Sequence, residues 1–343
     1  MKSRPGRHVA ALTALTAAVL TACSAGPGDR GDAAEAGSGV PGPTVDLDAH
    51  DGARTALDTV IAAFGATDAG EDVRFDVASG PSAQQAAAVV DGASADFVTF
   101  ASVPDLTGLV DAGLVDPDWN AGAYRGVPYG SVVTMVVREG NPRGVAGWDD
   151  LLAPGLEVIT PDPSASGAAK LNLLAAYAAT SDGGADPQAG LDYLAALVGD
   201  HVETSPASGE EAVEAFVQGT GDVLLLPEHE ALRLERDGAA VRRVPLTTTL
   251  RIDSPAAVID NAPDVRAAQD FNDFLYTVEA QRLWAAAGFR PADPGVAREF
   301  ADDFPAPERL WTVEDLGGWS TVDAELFRPG TGSIAVIYTD AAN

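Results

Sequence analysis

The chain has 343 residues, of which 46% are hydrophobic and 21% charged, and its formal net charge is −30. This composition is typical of a folded globular protein and excludes a largely disordered chain. Its 51 acidic residues against 21 basic ones argue against nucleic acid as a partner and repel free anions at long range, so an anion would need a local site.

The first 44 residues predict a leader and a tether. A basic start, an apolar run too short to cross a bilayer and small residues before Cys23 are typical of a signal peptide over residues 1–22. The four residues that end at Cys23 resemble the bacterial lipobox, which implies cleavage before Cys23 and a lipid on its sulfur; an unlipidated signal with an incidental cysteine is the alternative. Residues 23–44, rich in Gly, Pro, Ala and Asp, predict a flexible tether. We therefore expect an extracytoplasmic protein that is lipid-anchored to the outer face of the cell membrane.

Beyond the tether, predicted strands alternate with predicted helices. Strands are predicted at 44–47, 73–77, 97–100, 127–137, 156–160, 223–226 and 250–259. Helices are predicted at 54–64, 83–90, 168–179, 191–198, 210–217, 265–275 and 278–287.

This alternation predicts an α/β fold with sheets of the parallel type. The units are too many for one compact sheet, and long extended segments near 127–138 and 250–259 bracket a middle block. We predict two α/β lobes, joined by these two crossover segments as a hinge, with the ligand in the cleft between them. The predicted division is lobe 1 at 45–131 with 255–305, lobe 2 at 132–254, and a C-terminal segment at 306–343 that packs across the lobes.

Three junctions before predicted helices combine serine with small residues: SGPSAQQ at 79–85, SASGA at 164–168 and SPASGEE at 205–211. Helix capping explains each of them, because serine is a favoured N-cap and Ser82 with Gln85, like Ser208 with Glu211, fits the capping box. Alternatively, the free N–H groups and positive dipole end of such a helix bind an anion. Glu210 and Glu211 would repel an anion at the third junction.

Motifs of enzymes and metal sites are not apparent in the sequence. It has no nucleophile elbow, zinc-protease motif or phosphate-binding loop, so we predict no enzyme and no cofactor. Glu228, His229 and Glu230 are adjacent and would diverge on a helix, so we predict no metal site. A hydrolase would need a histidine that converges on Ser166, and no pattern around the histidines indicates one.

From Asp51 to about Tyr338 the chain resembles the bacterial sulfate-binding proteins, the substrate-binding components of sulfate/thiosulfate ABC importers. The stretches that carry this resemblance are SGPSAQQAAAVVDGASADFVTF, GLVDPDW, VVREGNPRGVAGWDDLLAPGLEVITPDPSASGAAKLN, FVQGTGDVLL, FRPADP and LGGW. The resemblance implies the type II periplasmic-binding-protein fold, whose two lobes close on the ligand. It also implies capture of sulfate, or a related tetrahedral oxyanion, for ABC permease subunits in the membrane. We expect a monomer.

The family binds its anion through uncharged donors, and its motifs place these at defined positions here. Asp51 matches the first residue of the family's Asp-Pro-Thr-Arg, and Ser82 matches the serine of its Gly-Gly-Ser-Gly turn. The predicted ligand-binding residues are Asp51, Ser82, Ser166, Gly167, Ala168 and, from the third junction, Ser208. Fully ionised sulfate only accepts hydrogen bonds, so we expect Asp51 to give a backbone N–H or orient a neighbour, and not to direct its carboxylate at the ligand.

Two departures from the family motifs put the ligand in doubt. Pro227 stands where the family has a tryptophan, so an indole donor is lost, and residues 205–211 replace its Gly-Ala-Arg-Gly segment. One lost donor to a charged ligand costs about 1.5–3 kcal/mol, roughly ten- to a hundredfold in affinity. Alternatives to sulfate are therefore thiosulfate, molybdate or another small anion, or a surface sensor or interaction lipoprotein that has lost transport.

Overall fold

A computed structural model describes residues 42–260 and 262–341, which lie in one compact unit. The predicted signal peptide, Cys23 and nearly all of the predicted tether lie outside the described residues. Within the described residues, no helix is both long enough and apolar enough to cross a membrane.

The described residues form eleven strands and twelve α-helices. The strands are β1 (Thr44–His50), β2 (Arg74–Gly80), β3 (Phe97–Thr99), β4 (Tyr129–Arg138), β5 (Val158–Ile159), β6 (Val223–Pro227), β7 (Val241–Val244), β8 (Thr248–Ser254), β9 (Ala256–Val258), β10 (Arg290–Pro291) and β11 (Arg309–Trp311). The helices are α1 (Arg54–Phe64), α2 (Ser82–Val90), α3 (Val103–Asp111), α4 (Gly167–Thr180), α5 (Pro187–His201), α6 (Gly209–Val217), α7 (Glu228–Arg236), α8 (Val265–Leu275), α9 (Val278–Ala287), α10 (Pro294–Glu299), α11 (Trp319–Val322) and α12 (Ser333–Ala341).

The strands form two sheets. The first sheet has the order β2-β1-β3-β9, and the second has the order β11-β8-β4-β6-β5, with β7 and β10 also paired to β4. The first sheet is parallel except for β9, whereas β4 is antiparallel to β6, β7, β8 and β10. The prediction of parallel-type sheets is therefore only partly right. It is wrong for β4 and β8, since the chain runs out along one and returns along the other.

Both predicted crossover segments carry the chain between the sheets. The first half of β4 pairs with β8, and its second half pairs with β6 in the interior of the second sheet. Strand β8 ends at Ser254, and after Pro255 the chain enters the first sheet as β9. This confirms the predicted architecture of two α/β lobes on two crossovers, while the residue boundaries given above for each lobe stay predictions.

Aromatic packing fixes the start of β4 beneath the first sheet. The ring of Tyr129 stacks on Trp284 at a centroid distance of 3.9 Å and meets Phe289 edge-on at 5.0 Å. All three side chains are buried in the hydrophobic core of the first sheet. Because aromatic rings of this size hold their position when fully packed, the hydroxyl of Tyr129 has a fixed place at the end of β1.

Candidate functional site

The turn that follows β1 lies in the solvent. Residues Asp51–Ala53 form a short 3₁₀ turn between β1 and α1, and both Asp51 and Gly52 are exposed. The carboxylate of Asp51 accepts a hydrogen bond from the Gly52 N–H at 2.9 Å. The carboxylate is thus engaged within its own turn. That Asp51 contributes a backbone donor stays a prediction.

Ser82 is not the N-cap that the sequence predicted. Helix α2 begins at Ser82 itself, after Pro81, and has no side-chain cap. The Ser82 hydroxyl donates to Asp105 at 2.6 Å and accepts the N–H of Ala101 at 3.0 Å. The predicted capping box of Ser82 and Gln85 is therefore wrong, because a carboxylate from α3 takes the serine hydroxyl.

The second junction caps α4 as predicted. Ser166 is the N-cap, and its hydroxyl accepts the N–H of Ala169 at 3.4 Å. Gly167 and Ala168 are the first two residues of the helix, where N–H groups have no partner inside the helix. Since Ala168 is the second residue of the helix, its backbone N–H is one of these free donors. A Cβ placed on Gly167 would meet no atom within 4 Å, so there is open space beside this end of α4.

The third junction lies against the second. Ser208 is the N-cap of α6 and accepts the N–H of Glu211 at 3.1 Å, which confirms it as a cap. The N–H of Asp162 donates to the carbonyl of Pro206 at 2.8 Å, so the chain before α4 and the chain before α6 are hydrogen-bonded. The structure therefore brings these two junctions together. Glu211 is exposed and accepts the Ala207 N–H at 3.0 Å.

A small cavity lies between the chain after β3 and helix α4. Ala101 and Ser102 line it on one side, and Leu171, in the second turn of α4, lines it on the other. Ser102 donates to the same Asp105 oxygen as Ser82, at 2.8 Å. Ser82 contacts the cavity wall through Ala101, and neither Ser82 nor residues 164–168 line the cavity, so a shared space for Ser82 and the start of α4 stays a prediction.

The segment at Pro227 holds a buried ion-pair cluster. Pro227 ends β6, and Glu228, the first residue of α7, is buried. Its carboxylate pairs with Arg243 at 2.7 Å and with Arg290 at 2.6 Å. Two guanidinium groups and the positive end of the helix dipole offset the cost of burying this carboxylate.

Two histidines from distant parts of the chain meet at the exposed turn. A Cβ placed on Gly52 would lie 3.3 Å from Nδ1 of His50 and 3.4 Å from Nε2 of His229. The imidazole of His229 stacks on Phe289 at 4.3 Å, and Nε2 of His50 lies 3.2 Å from the Tyr129 hydroxyl. The start of α7 is thus packed against the turn that contains Asp51.

Burial determines the protonation of the two histidines and of the neighbouring Glu230. Burial lowers the pKa of His50 to about 4 and that of His229 to about 3, so both imidazoles are neutral at pH 7. Burial, with the nearby charge of Asp51, raises the pKa of Glu230 to about 7. A neutral imidazole offers one N–H donor and one acceptor, and Nδ1 of His229 is buried with no hydrogen-bond partner among the described residues.

Neither histidine was predicted from the sequence as a ligand-binding residue, since histidines there suggested only a catalytic triad or a metal site. Within the described part of the chain, no group of three His, Cys, Asp or Glu side chains could hold a metal ion. Their positions in the sequence could have indicated a role at the site. His50 immediately precedes Asp51, and His229 is two residues beyond Pro227.

Two α/β lobes on a pair of crossover strands, with helix N-termini gathered at open space, define the class of extracellular solute-binding proteins. The family model described as bacterial extracellular solute-binding protein matches residues 46–290. A sulfate-binding protein of Synechococcus elongatus is 33% identical over 330 residues, covering 94% of this chain and 93% of that protein. A thiosulfate-binding protein of Escherichia coli K12 is 30% identical over 259 residues, covering 73% and 76%.

Among solved structures, the sulfate-binding protein SubI from Mycobacterium tuberculosis H37Rv is 51% identical with a TM-score of 0.79, and the match covers 83% of this chain and 99% of that one. The chain therefore belongs to the bacterial sulfate-binding protein family and has the type II periplasmic-binding-protein fold. It is a solute-binding protein that works outside the cytoplasm.

Proposed function

We propose that this protein captures sulfate and delivers it to the permease subunits of an ABC transporter, as a monomer anchored to the membrane by a lipid on Cys23. The observation that carries the proposal is the start of α4, where Ser166, Gly167 and Ala168 offer a hydroxyl and two free N–H groups beside open space. A dianion that can only accept hydrogen bonds suits such uncharged donors, since the helix end adds its positive dipole.

The other predicted residues complete this donor set in distinct ways. Because the Ser82 hydroxyl already donates to Asp105, we assign to Ser82 a backbone N–H donor at the start of α2. The hydroxyl of Ser208 only accepts within its cap, so its proton is available to the anion. Asp51 contributes its backbone N–H, because its carboxylate is engaged by Gly52.

We further propose that His229 and His50 supply neutral N–H donors at the Asp51–Gly52 turn. Pro227 has no N–H, and the His229 imidazole lies two residues beyond it against that turn. If the Tyr129 hydroxyl donates to Nε2 of His50, the proton of that imidazole is on Nδ1, the nitrogen nearest Gly52. Neutral donors of this kind suit sulfate better than phosphate, whose protonated forms need an acceptor.

Anion titrations of the chain without its signal peptide test the proposal. A ligand raises the free energy of unfolding by RT ln(1 + [L]/Kd), about 2.7 kcal/mol at a hundredfold excess over Kd. We expect sulfate to raise the melting temperature most and phosphate to have no effect. A larger effect of thiosulfate or molybdate would show a shifted specificity. No effect of any of these anions at millimolar concentration would contradict oxyanion binding and favour a sensor or interaction role.

A further inference from the structure

A larger cavity lies beside the crossover strands and shares Arg251, Ile252 and Glu314 with the small cavity described above. It has a volume of about 620 Å³ and is bounded by Gly130 of β4, Ile252 of β8 and Phe304 after α10. None of the predicted ligand-binding residues lines it. Small-molecule sites have volumes of roughly 300–1,000 Å³, so this cavity is of the size that holds an organic ligand.

Flat aromatic side chains form much of the wall. Trp119, Tyr124 and Phe304 all line the cavity. Tyr124 stacks on Tyr276 with the rings 5.4 Å apart and only 4° from parallel, and its hydroxyl donates to Asp293 at 3.3 Å. Because Tyr124 is held on both sides, the wall presents a fixed flat surface.

The cavity is positively charged in a protein whose net charge is −30. The charged residues that line it are Arg125, Arg251, Arg290, Arg298, Asp253 and Glu314. Arg251 pairs with Asp253 at 2.8 Å, and Arg290 pairs with Glu228 at 2.6 Å. These pairs neutralise two of the cations, and Glu314 offsets one of the other two, Arg125 and Arg298, so the lining keeps one net positive charge.

Arg125 has a strained backbone and an unused guanidinium. Its φ is 52°, in the left-handed region, and the other described non-glycine residues with positive φ are Asn141 and Asp182, whose types tolerate that region. Gly126 follows at φ 68°, where a Cβ would clash with the Trp119 ring. Across the described residues, the Arg125 guanidinium has no hydrogen-bond or ion-pair partner. Strained backbone conformations of this kind cluster at ligand sites, where they hold a side chain in the orientation that binding needs.

We propose that this cavity binds an amphipathic organic monoanion. The flat apolar body of the ligand packs on Trp119, Tyr124 and Phe304, and its single carboxylate or sulfonate group pairs with Arg125. One free guanidinium suits one negative charge, and the planar guanidinium binds both oxygens of such a group. The bound ligand contacts both crossover strands, since Gly130 and Ile252 line the same space.

Fluorescence titration with 8-anilinonaphthalene-1-sulfonate tests this, with N-phenyl-1-naphthylamine as a probe that has the same rings and no charge. The sulfonate should bind the chain without its signal peptide at one saturable site. Arg125→Gln should weaken that binding roughly tenfold or more, because a charged hydrogen-bonded pair is lost, and leave binding of the amine unchanged. Arg266→Gln, which removes an equal charge from a side chain on α8 that is 93% exposed, should change neither.

Arg125→Gly serves as a second variant, because it removes the guanidinium and relieves the left-handed strain, so the protein should fold at least as well. It should lose sulfonate binding to the same extent as Arg125→Gln. Equal binding by the wild type and both Arg125 variants would overturn the proposal, as would equal weakening by Arg266→Gln. Competitive displacement of the sulfonate by sulfate would also overturn it, by placing the dye in the sulfate site. If sulfate did not bind at all, the proposed function would fail, but the expected effects of the Arg125 and Arg266 variants on sulfonate binding would be unchanged.

Discussion

His229 gives the most direct single-residue test of the proposed donors, since nothing but its side chain is needed from α7. His229→Ala should weaken sulfate binding roughly ten- to a hundredfold, because one N–H donor to a charged ligand is removed. His229→Gln should recover part of the loss, since its amide also donates. Isothermal titration calorimetry measures the affinity of each variant.

His201→Ala is the matched control. His201 is also a buried histidine, but its Nδ1 contacts the Leu156 carbonyl at 2.9 Å, within the second lobe and away from Gly52. This variant should lose stability while keeping its affinity for sulfate. If His229→Ala bound sulfate as tightly as the wild type, the imidazole would not be a donor.

The roles of single residues were predictable from the sequence only where they depend on residues nearby in the chain. Ser166 and Ser208 are the N-caps that their own neighbours predicted. Ser82 follows the same pattern but loses its capping role to Asp105, 23 residues away. His50 and His229 are farther apart still, and no local spacing records that they share one turn.

Helix α4 supplies the element-scale prediction. Ser166→Ala should cost about 0.5–2 kcal/mol of stability, as the loss of an N-cap does, and should also weaken sulfate binding because the hydroxyl donor is removed. Thr277→Ala removes the equivalent cap of α9, where the hydroxyl accepts the Ala280 N–H at 3.2 Å. Urea unfolding and calorimetry measure the two effects separately.

Both cap variants should lose similar stability, but only Ser166→Ala should lose sulfate affinity. A similar loss of affinity in Thr277→Ala would mean that the effect passes through helix stability and not through a donor. An unchanged affinity in Ser166→Ala would remove Ser166 from the site and leave only the backbone N–H groups of Gly167 and Ala168.

Elements with strong apolar periodicity were predictable. The predicted helices at 54–64, 265–275 and 278–287 have the bounds of α1, α8 and α9. Helix α3 was missed because Pro104 and Gly108 lower its helix propensity, and α7 because its sequence is mostly charged. The segment predicted as one strand at 250–259 divides at Pro255, which lacks the N–H that continued pairing would need.

The two-lobe architecture was predictable at the scale of the molecule, because alternating elements and two long extended segments are properties of the chain order. The antiparallel pairing of β4 with β8 was not predictable, since no local pattern in the sequence distinguishes a crossover strand from a strand of a parallel sheet. The cavity beside these strands was also beyond prediction. Residues near 119–131, 251–253 and 290–314 surround it, and only the folded chain brings them together.

The net charge of −30 predicts an unusual salt dependence for sulfate capture. A dianion that approaches a strongly acidic protein is repelled until it reaches the local donors, and added salt screens this repulsion. Between about 10 mM and about 150 mM ionic strength the Debye length falls from roughly 30 Å to roughly 8 Å, so the association rate constant should rise several-fold.

Stopped-flow tryptophan fluorescence measures this rate constant, with sodium chloride and sodium gluconate compared at equal ionic strength. Equal increases in both salts would indicate screening, because competition by the small chloride ion would lower the rate in one salt only. An association rate that falls with ionic strength would instead mean that a local positive field steers sulfate and outweighs the acidic surface.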